Sequence, residues 1–311
     1  MTLRQLLDVP APAKLNLFLH IVGRRPDGYH LLQSVFMLID WCDTLHFERR
    51  SAGQLSREDL DPSQALPEHD LVLRAARALQ STTGCPWGAH IALAKHIPQQ
   101  AGLGGGSSDA ASTLLALNRL WGLGLGVADL QRIGLELGAD VPFFLGGHHA
   151  WVEGIGESLQ PIDLPAARYL VLKPPSGSAT PEIFRHPALK RDTPRSIIAD
   201  FAASCSSASH VDGAGSKPAP SPAQGRSGFG RNDLQAVAIE LCPEIAWGLN
   251  WMAEQGLEGR MSGSGSAIFA PLDSPAPDSL PRDASAFAGL PAQWLSRVCS
   301  NLREHPLIGW C

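Results

Sequence analysis

Residues 98–111 read PQQAGLGGGSSDAA. Four glycines stand within five positions, two serines follow, and the chain then runs into alanines and leucines. Glycine lets backbone approach a ligand closely and leaves its N–H groups open. A helix starting just beyond the loop adds the positive end of its dipole. With the hydroxyls of Ser107 and Ser108 these features describe an anion site, for which phosphate is the usual occupant. A tight turn capping a helix at 107 is the structural alternative, and the loop alone does not separate the two.

Several familiar glycine motifs do not fit. A P-loop requires Lys after its last glycine, and here Ser107 follows Gly106. The dinucleotide fingerprint begun at Gly102 requires glycine at 107. The G-x-S-x-G elbow is absent around Ser107 and Ser108, and the protein-kinase set is missing its DFG and HRD elements.

Working outward, Ala110, Leu114, Leu117 and Trp121 recur at helical spacing from 107, and Gly122 can end that helix. A second helix is predicted over about 129–137, stopping at Gly138. Asp140 follows, then Val141, which Pro142 disfavours from helical geometry. Upstream, Ile91–Leu93 is a short strand, and residues 70–80, DLVLRAARALQ, form a helix with Asp70 as N-cap. Ala13–Val22 alternates: Ala13, Leu15, Leu17, Leu19 and Ile21 share one face, while Lys14, Asn16, Phe18 and His20 share the other. That period predicts a half-buried strand, and GRRPDG after it is a turn.

In the second half, Arg168–Leu172 is a strand, and a helix is predicted over about 232–254. GRMSGSGSAIFA, residues 259–270, is a second glycine and serine loop leading into a strand. Residues 203–230 are Ser, Ala, Gly and Pro with almost nothing to bury, so a disordered insertion is expected there. Elements of both types alternate through two halves, each with a glycine loop. The fold class is α+β, with domains expected at 1–165 and 166–311.

Composition bounds the partners. The 311 residues are 44% hydrophobic and 18% charged, with a net charge of −5. Lys and Arg form no long basic run, so no nucleic acid is expected as a partner. The longest apolar-looking stretch, 31–45, is broken by Gln33, Ser34 and Asp40, and no membrane partner is expected. The six cysteines form no C-x-x-C pair or zinc spacing. Unpaired thiols and an N-terminus without a signal-peptide pattern place the expectation in the cytoplasm, as a monomer or homodimer.

The ordered motifs go further than composition. PQQAGLGGGSSDAA resembles the second motif of the GHMP kinases, and MSGSGSAIFA resembles their third, the Gly/Ser-rich loop near the C-terminus. PAKLNLFLHIVGRRPDGYHLLQSVF (12–36), ELGADVPFFLGG (136–147), TPEIF (180–184) and GRNDL (230–234) are similar, in the same order, to segments of one branch of that superfamily. That branch phosphorylates a cytidine-diphosphate-linked methylerythritol in non-mevalonate isoprenoid synthesis. The resemblance covers most of the chain apart from about 203–230 and 273–290.

The resemblance implies a two-domain GHMP kinase fold with the active site in the cleft between the domains. It implies ATP as co-substrate and the cytidyl diphosphate as acceptor, with phosphate passing to the 2-hydroxyl. Mg²⁺ is expected, and no ligand for it can be nominated. Lys14 and Asp140 are implied as the catalytic pair, Asp140 accepting the hydroxyl proton. Pro98, Gly102, Leu103, Gly104, Gly105, Gly106, Ser107 and Ser108 are implied around ATP, with Lys95 and Asp70 near the nucleotide. Asp70 departs from the family pattern, which carries asparagine there, and adds a negative charge beside the expected ATP. Asn16, Tyr29, His30, Phe36, Thr180 and Phe184 are implied around the acceptor.

Overall fold

The computed structural model describes residues 3–51, 53–61, 66–206, 229–272 and 289–311. Two sheets organise the chain. The first contains β1 (Gln5–Arg24), β2 (His30–Arg50), β3 (Leu55–Asp59), β4 (Gly88–Ala94), β5 (Ala150–Glu153) and β6 (Ser158–Pro161). Its order is β3-β4-β2-β5-β6, with β1 paired antiparallel to the long β2. The second sheet runs β10-β7-β9-β8, from β7 (Arg168–Lys173), β8 (Arg260–Met261), β9 (Ile268–Leu272) and β10 (Leu295–Ser300). The boundary expected at 165 falls in the connection between β6 and β7.

The first half carries α1 (Leu71–Thr83), α2 (Gly105–Trp121), α3 (Val127–Leu137) and α4 (Val141–Gly146). The second half carries α5 (Thr180–Arg185), α6 (Ile198–Ser206), α7 (Gln235–Leu241) and α8 (Glu244–Glu254). The two-residue period of the strands sends neighbours to opposite cores. Phe36 and Leu38 of β2 pack with the helices α1 to α4, whereas Val35, Met37 and Ile39 pack toward the second sheet. Tyr169 and Val171 meet them there, while Leu170 and Leu172 turn away onto Val237, Ile245 and Met252. Helices therefore cover the outer faces of two sheets that share a core.

This layering explains why the half-buried strand expected at 13–22 is buried from Ala13 to Ile21. β1 extends from Gln5, and both of its faces are covered from Ala11 to Ile21. Val9 and Ala11 pack toward the helices, but Ala13, Leu15 and Leu17, of the same parity, pack toward the second sheet. The β1–β2 ladder shifts register between Pro12 and Ala13, where the faces exchange. The exchange aims Lys14 toward the helical side, over the Phe36 ring, 4.8 Å from its centroid.

Other boundaries move for identifiable reasons. α2 begins at Gly105, two residues before Ser107, because Gly104 takes the left-handed φ of +72° and the helix opens directly on it. α3 begins at Val127 rather than 129. Val141 is helical, since Pro142 sits in the first turn of α4, where its missing N–H loses no bond. The single helix expected over 232–254 is two, α7 and α8, divided at Cys242 and Pro243. Of the insertion expected at 203–230, residues 203–206 close α6, 229 and 230 lie against β1, and 207–228 fall outside the described residues.

Two buried histidines lie near the junction of the first half and the C-terminal segment, where the His305 amide donates to Gly147 O at 2.8 Å. His149 Nδ1 accepts the Leu38 amide at 3.1 Å, and His305 Nδ1 accepts the Leu307 amide at 3.1 Å. Burial pushes both pKa values down to about 4. The unfolded chain binds those protons below about 6.5 and the folded chain does not, so stability is full above that pH. It is lost as pH falls from about 6.5 to about 4, by up to roughly 3 kcal/mol per histidine. Urea unfolding at pH 7.5 and 4.5 should show this loss, and His149→Gln/His305→Gln should flatten it. An acid limb unchanged in the double variant would exclude these side chains as its origin.

Candidate active site

The glycine loop lies between the two sheets, braced by the second glycine loop. Gly102 has φ +71°, and a Cβ there would stand 2.1 Å from the Ser262 carbonyl oxygen. Ser262 Oγ donates to Gly102 O at 3.1 Å and accepts the Asn16 amide at 3.2 Å. The Ala267 amide donates to Ala101 O, and the Ser266 amide to Gln100 O. Asn232 of the GRNDL segment donates to the carbonyls of Met261 and Gly263, while the Leu19 amide donates to Arg231 O. The second glycine loop, itself held by Asn232, thus fixes the first beside β1.

Past the loop, α2 opens without a side-chain cap, so its first amides face the adjoining space. That space is a cavity of about 580 Å³. Pro98, Gly102, Leu103, Gly104, Gly105, Gly106 and Ser107 line it along one side. Lys14, Asn16, Phe36, Asp140, Thr180 and Phe184 also line it. Ser108 does not: its hydroxyl is buried with no hydrogen-bond partner, and its amide closes the first helical bond to Gly104 O.

Lys14 and Asp140, 126 residues apart in sequence, meet on the cavity floor with Nζ and Oδ2 3.7 Å apart. The lysine is 3% exposed, and Asn16 Oδ1 accepts from its Nζ. Asn16 is held in turn by donating from Nδ2 to Ser34 Oγ at 3.0 Å. Burial holds the Lys14 pKa below its ordinary range, and Asp140 opposes that shift. Asp140 sits at the N-cap position of α4 with αR backbone and makes no cap bond, which leaves its carboxylate for Lys14 and the cavity.

Lys95 is not a solvated lysine. It is 6% exposed and bridges two buried carboxylates, with Asp43 as one partner and Asp109 Oδ2, at 2.7 Å, as the other. Asp43 Oδ1 also accepts the amides of His96 and Ile97, the residues that lead into the loop. Burial pushes the Asp109 carboxyl up to about 8, with Lys95 pulling it down and Asp43 pushing it up. Lys95 stays cationic between its two partners, which raise its pKa against the burial that lowers it. Lys95 and Asp109 both line the cavity.

Asp70 caps α1 by accepting the Leu73 amide at 3.1 Å. Its charge does not stand alone: Arg57 Nη1 lies 2.9 Å from Asp70 Oδ1, and Arg57 also pairs with Asp59. The side chain of Arg57 is only 8% exposed. A guanidinium therefore compensates the carboxylate that stands at the cavity edge.

Beside the main cavity lies a chamber of about 630 Å³, sharing Leu32, Ile155 and Phe184 with it. Tyr29 and His30 line this chamber rather than the main cavity, with Arg24, Arg185 and Arg191 around them. The His30 and Phe184 rings lie 5.1 Å apart, inclined at 34°. Tyr29 is 61% exposed, at the rim. Thr180 shares a 2.6 Å hydrogen bond with Ser264 of the second glycine loop.

Two linked chambers, a bare helix N-terminus and a lysine–carboxylate pair can be compared with known proteins. The family model described as GHMP kinases N terminal domain matches residues 70–148, and GHMP kinases C terminal matches 220–287. A protein of Polaromonas naphthalenivorans named 4-diphosphocytidyl-2-C-methyl-D-erythritol kinase is 58% identical, covering 99% of this chain and 97% of its own length. A protein of Variovorax paradoxus with the same name is 56% identical, covering 99% of both chains. The chain belongs to the 4-diphosphocytidyl-2-C-methyl-D-erythritol kinase family of GHMP kinases. A crystal structure of 4-(cytidine 5'-diphospho)-2C-methyl-D-erythritol kinase is similar across 95% of this chain and 98% of that one, with a TM-score of 0.73 and 34% identity.

Within this GHMP kinase the structure adds residues that sequence reasoning missed. Asp43 and Asp109 are separated from Lys95 by 52 and 14 residues, and Arg57 and Arg191 belong to no quoted motif. Gln100, with φ +52°, receives the amides of Ser178 and Ser266 on its carbonyl. Buried acids and a positive-φ Gln leave no periodic signature in a single sequence. Among the described residues no three His, Cys, Asp or Glu side chains gather as a metal site, and no helix is long and apolar enough to cross a membrane.

Proposed function

We propose that the chain transfers the γ-phosphoryl group of ATP to the 2-hydroxyl of 4-diphosphocytidyl-2-C-methyl-D-erythritol, in the cytoplasm, releasing ADP. The observation that carries this reading is the Lys14–Asp140 pair at 3.7 Å, in a cavity walled by the glycine loop and joined to the aromatic chamber of His30 and Phe184. The names of the relatives support the same acceptor.

The phosphates of ATP lie along Gly102–Ser107, where open amides of α2 and its dipole meet their charge. The acceptor hydroxyl lies over Asp140, which takes its proton as the oxygen attacks the γ-phosphorus. The bond to the β–γ bridging oxygen breaks, and ADP leaves with that electron pair. Lys14 stabilises the developing alkoxide and the equatorial oxygens. Burial strengthens that interaction, and Asn16 fixes the ammonium in place. The cytidine occupies the side chamber between Tyr29 and Phe184, with His30 at its edge.

Mg²⁺ binds through one or two carboxylates plus substrate phosphates. Asp109 fits that habit, since its Oδ1 has no hydrogen-bond partner and the residue lines the cavity. The ion would neutralise phosphate charge there.

The test is phosphorylation followed by ³¹P NMR with four acceptors: the cytidyl diphosphate, methylerythritol phosphate, mevalonate and homoserine. The cytidyl compound should gain one phosphate at the 2-hydroxyl, and the others should react very poorly. Equal use of mevalonate or homoserine would defeat this acceptor assignment and leave a GHMP kinase of other specificity.

A further inference from the structure

The side chamber contains a hydrogen bond that fixes the chemistry of its histidine. Arg191 Nε lies 3.0 Å from His30 Nε2. A guanidinium has only donors, so Nε2 accepts and carries no proton. The imidazole is then neutral, with its single hydrogen on Nδ1. No protein acceptor takes that hydrogen among the described residues.

We propose that Arg191 is a positioning and specificity-determining residue, which locks His30 as the Nδ1–H tautomer so that the chamber offers a donor to a pyrimidine edge. The inference rests on the cytidyl acceptor proposed above. Cytosine presents ring acceptors at N3 and O2, whereas uracil carries hydrogen on N3. A histidine that can donate and cannot accept suits the first ring, and meets the second donor to donor at that atom.

Arg191 is built for such a task. Nη1 donates to Leu189 O at 2.9 Å, and Nη2 donates to Phe184 O at 3.2 Å and His186 O at 2.9 Å. Three carbonyls thus aim the guanidinium, and no carboxylate pairs with it among the described residues. The same residue ties the start of β2 to the end of α5, so it sets His30 and the Phe184 wall together. The charged groups facing the ring are Arg191 and Arg24, with Arg185 and Asp27 also lining the chamber. Burial lowers the His30 pKa, and the two guanidinium groups Arg191 and Arg24 lower it further.

The lock has a direct readout. Long-range ¹H–¹⁵N NMR on histidine-labelled full-length protein, with His30 assigned by its absence in His30→Gln, should show one tautomer at pH 8, protonated on Nδ1. In Arg191→Met the signal should move to a mixture or to Nε2–H, and the ring should titrate nearer 6.5. Arg191→Lys, which keeps the charge and loses the planar donor set, should also release the tautomer. With ATP saturating, the kcat/KM preference for the cytidyl substrate over its uridyl analogue should fall at least about tenfold in both variants, while the KM for ATP stays within about twofold.

A native spectrum with hydrogen on Nε2 overturns the proposal without any variant. So does an unchanged cytidyl-to-uridyl preference in the folded Arg191→Lys protein. The NMR readout needs no substrate, so a native enzyme inert toward the cytidyl compound would defeat the functional reading separately, and the specificity half of this inference with it.

Discussion

Asp140→Asn should lower turnover by roughly 10²- to 10⁴-fold while leaving both KM values nearly unchanged. The substitution keeps shape and removes the proposed base. Asp140 makes no cap bond, so Asn takes nothing from α4. Its side chain is 30% exposed, so the neutral amide is not stranded in apolar surroundings. Lys14 is the residue that feels the change. Asp140 is what raises the Lys14 pKa against burial, and without it that pKa falls further below the ordinary 10.5. The ammonium becomes easier to lose as pH rises, so residual activity of the variant should decline toward alkaline pH sooner than that of the parent.

Lys14→Met should also depress turnover steeply. The double variant should lose much less than the product of the single losses, because in the proposed mechanism one pair generates and stabilises one alkoxide. Rapid-quench single turnovers measure the chemical step directly. Near-native turnover in Asp140→Asn would remove the residue from the mechanism, and fully multiplicative losses would separate it from Lys14.

The sequence carried this pair only through resemblance. An aspartate before Val-Pro reads as a turn residue, and a lysine on an alternating strand reads as a solvated face. Burial of both β1 faces reverses the second reading, and burial depends on a second sheet that the local pattern of residues 13–22 cannot announce. Asp70 was legible as an N-cap because capping is a local geometry. Its neutralisation by Arg57 was not, since that partner comes from a strand 13 residues upstream. Pro243 should have divided the helix expected at 232–254 on sequence alone, since proline breaks a helix interior, and it stands at the N-cap of α8. The two glycine loops were legible as glycine and serine runs. That they touch, with Gly102 pressed to the Ser262 carbonyl, needed the fold.

Buried charges are the part of the site furthest from sequence reading, and they carry the other large effect. Lys95→Met should cost about 3–5 kcal/mol of unfolding free energy at pH 8. The variant leaves Asp43, fully buried, and Asp109, 1% exposed, facing the space of a lost ammonium. Two carboxylates so placed cannot both stay ionised at ordinary cost. Asp109 already stands at about 8 with Lys95 present, and losing that cation raises it further. A carboxyl whose folded pKa lies above its unfolded value stabilises at low pH, and that contribution is lost as pH rises through the folded pKa. The deficit of Lys95→Met against the parent should therefore be largest at pH 8 and shrink toward pH 5. Lys95→Arg, which keeps a cation, should recover most of it. Asp43 also holds the His96 and Ile97 amides at the entrance to the glycine loop, so the KM for ATP should rise in the methionine variant along with the loss of stability. Urea unfolding of parent and both variants at pH 5 and 8 decides the matter. A methionine variant as stable as the parent at pH 8 would mean that the three side chains do not act as one charged unit beneath the glycine loop.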